Sequence, residues 1–386
     1  MKILQVNKYY NPDIGGVETV VRQYAEALAL DHDVTVLCVK KFFSLRTNNE
    51  KQNKINIIRA SSFGTYFSMP VSLSFFVIFL RIYKKFDIIH FHEPFPLASL
   101  LSLFIGKRSK IIITWHSDIV KQKLLKSTVE IFQRKLCGKA KVILATSPNL
   151  LKYSSVINSF REKVDILPLS IPIDKRVSVD DENYILYLGR LSYYKGMNVL
   201  LEAYTKARTN MDLVIVGDGE EQIVKQISNY SNTTNKKVRF INKFVSEEEK
   251  NEYFKKCSFF VLPSIEASEA FAIIQLEAMI QGKAVINTNL PTGVPFVSVN
   301  NQTGLTVTVN NVDELSQAID KLALDNQLRK QLGINGHNRV KSNFSNDIII
   351  EKLKMKYSSI INVIVVLITN MIFIVFSVSI VSIGNL

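Results

Sequence analysis

The sequence predicts an α/β protein built from two doubly wound, Rossmann-like domains that face each other across a cleft, followed by an apolar C-terminal tail. Three observations predict this fold class. Short apolar runs alternate with segments of helix length in both halves of the 386-residue chain. A stretch without apolar periodicity separates the halves, and the chain ends in a long uncharged run. The length suffices for two domains of ordinary size.

The first half contains apolar runs that are typical of buried strands. They read KILQVN, DVTVLCV, INIIRA, DIIHFH, KIIITWH, KVILATS and KVDILPL. Near-continuous Ile, Val and Leu favour strands of a parallel sheet with both faces covered. Segments such as GVETVVRQYAEALAL, of helix length, lie between them. Alternating strands and helices predict right-handed βαβ units, here in a Rossmann-like domain over residues 1–172.

The pattern breaks at residues 168–184, PLSIPIDKRVSVDDENY, which we interpret as an interdomain linker. A second series of strand-like runs then begins with YILYLGR and DLVIVGDG. It predicts a second Rossmann-like domain over 173–345, followed by a helix at 346–358 that returns to the first domain. Ligands of such sheets bind at the carboxyl ends of the strands, so the cleft is the expected site.

The tail, residues 359–386, includes 24 consecutive residues without a charge, 360–383. As a helix it would be about 36 Å long, which exceeds the roughly 30 Å hydrocarbon core of a bilayer. Lysines precede it and no charged residue follows it, which favours a cytoplasmic globular part. A membrane anchor is one interpretation; a buried β-branched helix or a frame-shifted tail is the other.

Charge is distributed unevenly along the chain. Residues 1–173 carry 25 Lys and Arg against 12 Asp and Glu, whereas residues 174–386 carry 23 against 22. A basic half indicates an anionic partner, and an anionic membrane surface is preferred because no nucleic-acid motif is present. A simple solvated basic surface is the alternative. The three scattered cysteines favour neither a disulfide framework nor a zinc site.

Two turns at predicted strand ends carry groups suited to phosphate. Gly15 and Gly16 follow the first strand and precede a helix, where glycine permits a tight turn and close ligand approach. Arg190 and Lys195 follow the first strand of the second half, again before a helix. An Arg fork and a Lys ammonium at such a position suit a diphosphate, although solvated surface cations are the plainer alternative.

The segment PSIEASEAFAIIQLEAMIQGKAVI, residues 263–286, places glutamates in apolar surroundings. Its helix is predicted to begin near Ala270 to Ala272, with Glu269 just outside it. Glu277 lies about two turns along among isoleucines, so its carboxylate needs hydroxyl or amide partners. Carboxylates of this kind accept paired hydrogen bonds from the vicinal diols of a sugar or ribose.

These motifs together resemble retaining glycosyltransferases of the GT-B fold, in family 4 of the sequence-based classification. The resemblance covers roughly residues 1–357 and is carried by Glu-x7-Glu with LEAM…GKAVI, by GRL…KG, by GG-x-E and by TNLPTGVPFV…TGLTV. It implies that the domain over 1–172 is the acceptor side and that the domain over 173–345 binds the nucleotide sugar. It also implies that Arg190 and Lys195 hold the donor diphosphate. It also implies that Glu269 contacts the transferred sugar and Glu277 the ribose.

The resemblance implies further donor contacts from the glycine loop and from main-chain amides at Phe271, Ala272 and Ile273. It makes His116, after the strand KIIIT, the catalytic-site histidine beside the anomeric carbon. Asp118 and Glu18 are implied acceptor-side residues.

His90 and His92 also follow this strand pattern, but turn and core roles explain them. The chain departs from the family at Ser170 and in Ala270-Phe271-Ala272, where glycines are usual. We expect Ala to tolerate a helical backbone there.

The implied reaction moves a sugar from a nucleotide-diphosphate sugar to a hydroxyl of a lipid-linked glycan, in bacterial surface polysaccharide synthesis at the cytoplasmic face of the membrane. No cofactor and no metal are expected, because Arg190, Lys195 and helix amides stabilise the leaving diphosphate. Two alternatives stay open: an inert nucleotide-sugar-binding scaffold, and a nucleotide-sugar epimerase of the same fold.

Overall fold

The structure is a computed structural model that describes residues 1–13, 15–66, 69–106, 109–120, 123–173, 177, 180–233 and 235–361. The main chain packs into two compact units. Of the described residues, the first comprises 1–113, 135–143 and 350–361, and the second comprises 114–134 and 144–349. The domain boundaries given by the sequence, 1–172, 173–345 and 346–358, stay predictions.

Within the described residues, eight strands form one sheet in the order β10-β9-β8-β7-β1-β2-β4-β3. Their bounds are β1 (Lys2–Val6), β2 (Asp33–Val39), β3 (Asn48–Gln52), β4 (Ile55–Ala60), β7 (Ile88–Glu93), β8 (Ile111–Trp115), β9 (Val142–Ala145) and β10 (Val164–Ile166). β1 pairs in parallel with β2 and with β7. Each apolar run of the first half therefore forms a strand of this sheet, as predicted.

One edge strand was not predicted by the sequence pattern. β3 reads NNEKQ, is exposed along its whole length and pairs antiparallel to β4. Since it buries no side chain, it leaves no apolar signature, and its position is fixed by backbone pairing. A short hairpin, β5 (Thr65–Tyr66) with β6 (Met69–Pro70), follows β4.

A second sheet of six parallel strands, counted over the described residues, has the order β13-β12-β11-β14-β15-β16. Their bounds are β11 (Tyr184–Leu188), β12 (Asp212–Val216), β13 (Val238–Ile241), β14 (Phe259–Leu262), β15 (Ala284–Thr288) and β16 (Gly304–Val307). The order reverses between β11 and β14, so the loops after these two strands leave the sheet side by side. Both series of strands agree with the predicted doubly wound α/β fold class.

Helices cover the sheets between the strands. Their bounds are α1 (Gly16–Leu28), α2 (Leu73–Ile82), α3 (Pro96–Leu100), α4 (Lys123–Lys139), α5 (Pro148–Tyr153), α6 (Met197–Lys206), α7 (Glu221–Thr233), α8 (Glu247–Lys256), α9 (Ile273–Ile280), α10 (Val294–Val297), α11 (Val312–Leu324), α12 (Asn326–Asn343) and α13 (346–361).

Strong local signals set several helix starts. Ser246 and Glu249 form a capping box that begins α8. Asn311 caps α11, and Ser72 caps α2 through the amide of Phe75.

The final described helix, α13, is anchored in the first unit by a buried polar network. The hydroxyl of Tyr357 lies 2.6 Å from His90 Nδ1 and accepts a hydrogen bond from the Gln5 amide at 3.2 Å. His92 Nε2 lies 2.6 Å from Gln5 Oε1, and the two histidine rings stack at 4.4 Å. Every member of the network is buried. The core role considered for His90 and His92 therefore fits their position.

The predicted apolar tail falls mostly on residues 362–386, which lie outside the described residues, as do 174–176 and 178–179 of the predicted linker. Among the helices that the structure describes, none has both the length and the apolar character needed to cross a membrane.

Candidate functional site

The loop that joins β11 to α6 is held tightly against the loop that joins β14 to α9, both in the second unit. Gly196 has φ of 69°, and a Cβ on it would approach the carbonyl oxygen of Pro263 to 2.1 Å. The amide of Ile265 donates to the carbonyl of Tyr194 at 2.8 Å. Position 196 requires glycine because its backbone is left-handed and because a Cβ would clash with Pro263. The close approach of the two loops places Lys195 near the segment that contains Glu269.

Lys195 and Glu269 form a buried ion pair. Lys195 Nζ lies 2.5 Å from Glu269 Oε2, and the two residues are 9% and 7% exposed. Ser264 Oγ donates to the same carboxylate oxygen at 3.0 Å. Burial lowers the pKa of an ammonium, but the charge of Glu269 and the hydroxyls of Tyr187 and Tyr194 outweigh it, so the pKa of Lys195 is raised. Lys195 therefore stays protonated near neutral pH.

This pairing joins two residues that the sequence analysis assigned to different parts of a donor. The convergence of an acid and a cation from separate loops was expected, but their direct contact was not. Arg190 lies in the same loop as Lys195 and is exposed to solvent. Its main-chain carbonyl accepts a hydrogen bond from the Tyr187 hydroxyl at 3.1 Å, which fixes the turn that follows β11.

The start of α9 corrects one expectation. The helix begins at Ile273, and its N-cap residue Ala272 has φ of 62° and ψ of 68°. This is the left-handed region, which disfavours residues with a Cβ. The expectation of a helical backbone at Ala272 is therefore wrong; the backbone keeps the conformation that glycine adopts most easily. Phe271 and Ala272 are buried, and Gly293 packs against Phe271 with no room for a Cβ.

Glu277 has a partner that was not expected. Its Oε1 accepts a hydrogen bond from Lys250 Nζ at 2.7 Å, and the side chains are 17% and 13% exposed. Lys250 also contacts Glu247 one turn away on α8. The prediction that Glu277 needs hydroxyl or amide partners is wrong in kind, because an ammonium ion supplies the compensation. The charge of Glu277 helps raise the pKa of Lys250 against the effect of its burial.

Lys250 is the residue that the sequence analysis missed. The only local signal is its position three residues after Glu247 on a charged helix, which resembles any solvated helix surface. Its contact with Glu277 spans 27 residues and depends on how α8 packs against α9, so no local pattern reports it.

His116 and Asp118 follow β8 and lie in the second unit. His116 is 4% exposed, and burial lowers its pKa to about 3, so its imidazole is neutral at physiological pH. Asp118 Oδ1 accepts hydrogen bonds from the Trp115 indole at 2.8 Å and from Ser154 Oγ at 2.7 Å. These contacts anchor the segment after β8.

A small cavity of about 110 Å³ lies beside Asp118 in the second unit. Ala267 and Ala270, from the loop that carries Glu269, line it together with Thr292. Asn149 Nδ2 donates to the carbonyl of Thr292 at 2.9 Å, which joins α5 to the cavity wall. The cavity thus brings the predicted acceptor residue Asp118 close to the loop of Glu269.

The glycine loop belongs to the first unit and differs from its prediction. Gly15 has φ of 179°, an extended conformation open to any residue, so the expected tight glycine turn is wrong. A Cβ on Gly15 would meet the carboxylate of Glu18 at 2.1 Å, whereas one on Gly16 would meet nothing within 4 Å. Burial raises the pKa of Glu18 despite the nearby charge of Lys8. The loop therefore offers an open backbone surface at Gly16 beside a partly desolvated carboxyl group.

Among the described residues, no group of three or more His, Cys, Asp and Glu side chains is placed to hold a metal ion. The buried Ser170, where the resembled family has glycine, keeps its hydroxyl without a hydrogen-bond partner in the described part of the chain.

Solved structures share this fold. The sucrose-phosphate synthase of Thermosynechococcus elongatus superposes with a TM-score of 0.77 at 20% identity, covering 94% of this chain and 99% of its own. Anabaena HepE in complex with UDP gives a TM-score of 0.75 at 17% identity, covering 93% and 100%. At these identities the likeness establishes the fold alone.

Two family models match the sequence. Glycosyltransferase Family 4 matches residues 14–175, and Glycosyl transferases group 1 matches residues 172–339, so together they account for the chain from 14 to 339. The chain belongs to the glycosyltransferases. The resemblance drawn from its motifs is thereby confirmed at the level of family.

Curated relatives of this glycosyltransferase cover nearly its whole length. It is 28% identical to the O-antigen chain mannosyltransferase C of Escherichia coli, covering 94% of this chain and 99% of the relative. It is 26% identical to the D-rhamnosyltransferase WbpZ of Pseudomonas aeruginosa, covering 89% and 92%.

Proposed function

We propose that the protein is a retaining hexosyltransferase that moves a sugar from a nucleotide-diphosphate sugar to a hydroxyl of a lipid-linked glycan in bacterial surface polysaccharide synthesis. The observation that carries the proposal is the buried Lys195–Glu269 pair at the carboxyl ends of β11 and β14, beside the first amides of α9. A cation, an acid and open amides at the reversal of strand order suit a sugar diphosphate.

The names of the relatives support the proposed substrates. Two relatives that cover nearly the whole chain are named for mannosyl and rhamnosyl transfer, one of them in O-antigen synthesis. A third relative, from Campylobacter jejuni, is named for an acceptor on diphospho-undecaprenol; it is 24% identical over 83% of this chain and 90% of its own. A mannose- or rhamnose-type donor and a polyprenyl diphosphate acceptor follow as the first candidates.

Each predicted donor residue has a distinct task in this proposal. Arg190 and Lys195 neutralise the leaving diphosphate, and the amides of Phe271, Ala272 and Ile273 donate to its oxygens. Glu269, held in place by Lys195 and Ser264, accepts from hydroxyls of the transferred sugar. Glu277 accepts from the ribose hydroxyls, and Gly16 leaves its backbone open to the donor.

The neutral His116 suits a site where positive charge develops on the sugar. Because burial keeps its pKa near 3, the ring adds no positive charge beside an oxocarbenium-like transition state. The leaving diphosphate acts as the base for the acceptor hydroxyl on the same face of the donor. This geometry preserves the anomeric configuration, and it requires neither a cofactor nor a metal ion; chelation with EDTA is expected to leave the rate unchanged.

The acceptor side is proposed to involve Asp118 in the second unit and Glu18 in the first. Asp118 lines the cavity next to Ala267 and Ala270, where an acceptor hydroxyl would lie close to the loop of Glu269. Because a polyprenyl diphosphate resides in a membrane, the enzyme is proposed to work at its cytoplasmic face. An anionic membrane surface matches the excess of basic residues in the first 173 residues.

A transfer assay with the full chain tests the proposal. Nucleotide-diphosphate mannose, rhamnose and glucose are offered with a polyprenyl-diphosphate glycan, and products are identified by mass spectrometry and by NMR of the new linkage. Transfer with the donor's anomeric configuration is expected. Lys195→Ala and Glu269→Gln are each expected to lower kcat/KM on the order of 100-fold or more, as loss of a group that stabilises transition-state charge does.

The matched control is Lys225→Ala, which removes the cation of an exposed pair with Glu221 in the same unit. It is expected to leave kcat/KM within about twofold, since exposed pairs contribute little. An isomerised donor without transfer would favour the epimerase. Donor binding without any product would favour the scaffold, and an inverted linkage would refute the retaining mechanism.

A further inference from the structure

Large apolar side chains are exposed together on the first unit. We define the aromatic patch by the loop after β2, the loop after β4 and the first residue of α2. Phe42, Phe43 and Leu45 are 76%, 66% and 70% exposed. The other members of the patch are Phe63, Tyr66 and Leu73. Single exposed apolar residues are ordinary, but a contiguous cluster marks an interaction site.

Hydrogen bonds make the patch one continuous surface. Ser44 and Ser62 form an antiparallel bridge with both backbone bonds at 2.8 Å, which sets Phe43 opposite Phe63. The amide of Phe63 donates to the carbonyl of Val71 at 2.8 Å. Thr65 Oγ1 donates to the carbonyl of Lys41 at 2.8 Å. The loops are thus tied to each other by backbone and side-chain bonds.

The patch continues along α2. Leu73, Val77 and Leu80 are exposed at spacings of four and three residues, which places them on one side of the helix. The opposite side packs inward through the buried Phe75 and Phe79. One apolar side of α2 packs against the core of the unit. An apolar side opposite to it indicates a second apolar environment outside the unit.

The part of the sequence that forms the patch is strongly basic. Between Asp33 and Asp87 the sequence contains nine Lys and Arg and a single acid, Glu50. Glu50 is occupied by Arg59 at 2.7 Å. Lys41 and Arg46 are exposed and flank the most exposed aromatic residues, with Lys41 Nζ 5.7 Å from the ring centre of Phe42. An apolar surface bordered mainly by cations matches a layer with apolar chains below anionic headgroups.

We propose that the aromatic patch is the surface by which this glycosyltransferase binds an anionic lipid bilayer, with Phe42, Phe43 and Leu45 entering the headgroup region. This deepens the proposed function, on which it rests, by naming the residues that meet the membrane. Residues 362–386 are uncharged and would leave the cations around the patch without counter-charge. A bilayer with anionic lipid satisfies both the apolar and the basic groups.

Tryptophan fluorescence of the full chain tests the insertion. The chain has a single tryptophan, Trp115, which is fully buried and gives a shielded background. Phe43→Trp is the probe, and Phe244→Trp, 75% exposed on the second unit, is its matched control. With vesicles of phosphatidylglycerol and bromine-labelled phosphatidylcholine, Phe43→Trp emission is expected to shift to the blue and to be quenched. Phe244→Trp emission is expected to stay unchanged.

Three outcomes would overturn the proposal. Binding without quenching of Phe43→Trp would assign attachment to another segment. A blue-shifted Phe43→Trp emission before vesicles are added would mean that another part of the chain covers the patch. A self-association that is lost in Phe43→Ser and is insensitive to vesicles would mean that a second copy covers it.

Two sets of variants separate the contributions of basic and of apolar side chains to membrane binding. Lys41→Ser with Arg46→Ser is expected to weaken partition into anionic vesicles roughly 30-fold, since each basic residue near such a surface contributes about fivefold. Phe42→Ser, Phe43→Ser and Leu45→Ser together are expected to weaken it more than about tenfold. Leu30→Ser with Leu324→Ser, both highly exposed and outside the patch, is expected to change nothing.

A soluble short glycan acceptor separates this proposal from the proposed function. Patch variants are expected to keep transfer to that acceptor and to lose transfer to acceptor embedded in vesicles. Unchanged transfer to the embedded acceptor would refute the membrane role of the patch alone. Loss of transfer to the soluble acceptor in the unmodified chain would instead refute the proposed function.

Discussion

At the scale of single residues, Ala272 shows how strongly the loop before α9 is constrained. Its neighbours fix a left-handed backbone although the side chain disfavours it. The Gly293 amide donates to the carbonyl of Ala270 at 2.7 Å, and the Gln275 amide donates to the carbonyl of Ala272 at 3.0 Å. These bonds hold the turn that would present amides to a diphosphate, so the conformation is retained at an energetic cost.

Ala272→Gly is expected to raise the free energy of unfolding by about 0.5–1 kcal/mol. Relief of the left-handed penalty contributes about 1–2 kcal/mol, and the greater freedom of glycine in the unfolded chain offsets about 0.4–1 kcal/mol. Urea denaturation measures the change. Ala278→Gly, inside the same helix, is the control and is expected to lower stability by about 1 kcal/mol or more. Destabilisation by Ala272→Gly would show that the methyl group's packing outweighs the backbone strain.

His116 makes stability depend on pH. A histidine whose folded pKa is about 3 binds its proton in the unfolded chain, near pH 6.5, before it does so in the folded chain. Stability therefore falls as the pH drops below about 6.5, since the unfolded state then binds more protons. The sign is opposite to that of a histidine stabilised by an acidic partner.

Between about pH 7.5 and pH 5, this group is expected to lower the free energy of unfolding by about 2 kcal/mol. His116→Gln removes the titration, so its stability is expected to decline less steeply by that amount over the same range. Parallel urea titrations at several pH values measure the two slopes. His32→Gln, at a half-buried surface histidine, is the control for generic effects. Equal slopes in the His116 variant and the unmodified chain would contradict the buried neutral state.

At the scale of elements, the pair between α8 and α9 explains how a carboxylate is kept on an apolar helix. Glu277 follows Ile273 and Ile274 on α9, and its compensation comes from Lys250 on α8. The capping box of Ser246 and Glu249 fixes the start of α8. The start of the helix sets where Lys250 lies along α8 and therefore which part of α9 it faces. A local capping signal therefore positions a long-range ion pair.

Lys250→Met is expected to lower the free energy of unfolding by about 1–3 kcal/mol, because Glu277 loses the partner of a partly buried charge. Adding Glu277→Gln is expected to recover part of that loss, and the double-mutant cycle gives the coupling. The matched control is Lys255→Met on the same helix. Lys255 forms an exposed pair with Glu252, three residues earlier, as Lys250 does with Glu247. Its change is expected to stay within about 0.5 kcal/mol. An equal effect of the two variants would argue against a specific role for Lys250.

At the scale of the whole molecule, long-range contacts arrange the strands and helices that the apolar runs of the sequence predict. The strands and helices follow from apolar periodicity, and the sheet orders place the predicted site loops at strand ends. Tyr357 joins β1 and β7 across more than 250 residues through His90 and Gln5. No spacing rule identifies such a partner, because it depends on where the last helix docks.

The same distinction separates the parts of the candidate site. Arg190, Lys195 and Glu269 were predicted from residue type and position near strand ends, and Glu277 from its place among isoleucines on a helix. The structure brings Lys195 and Glu269 together. Their direct pairing, and the use of Lys250 to balance Glu277, were not predictable. Loop packing, such as the close approach of Gly196 to Pro263, decides which charged side chains form ion pairs.

The sequence by itself determined the α/β class, the strand series and the segments that carry polar groups at strand ends. These follow from properties of neighbouring residues: apolar period, capping and breaks in pattern. Only the tertiary structure decided the ion partners, the left-handed backbone of Ala272 and the continuity of the aromatic patch. Such features depend on distances between residues far apart in the chain, and local periodicity carries no information about those distances.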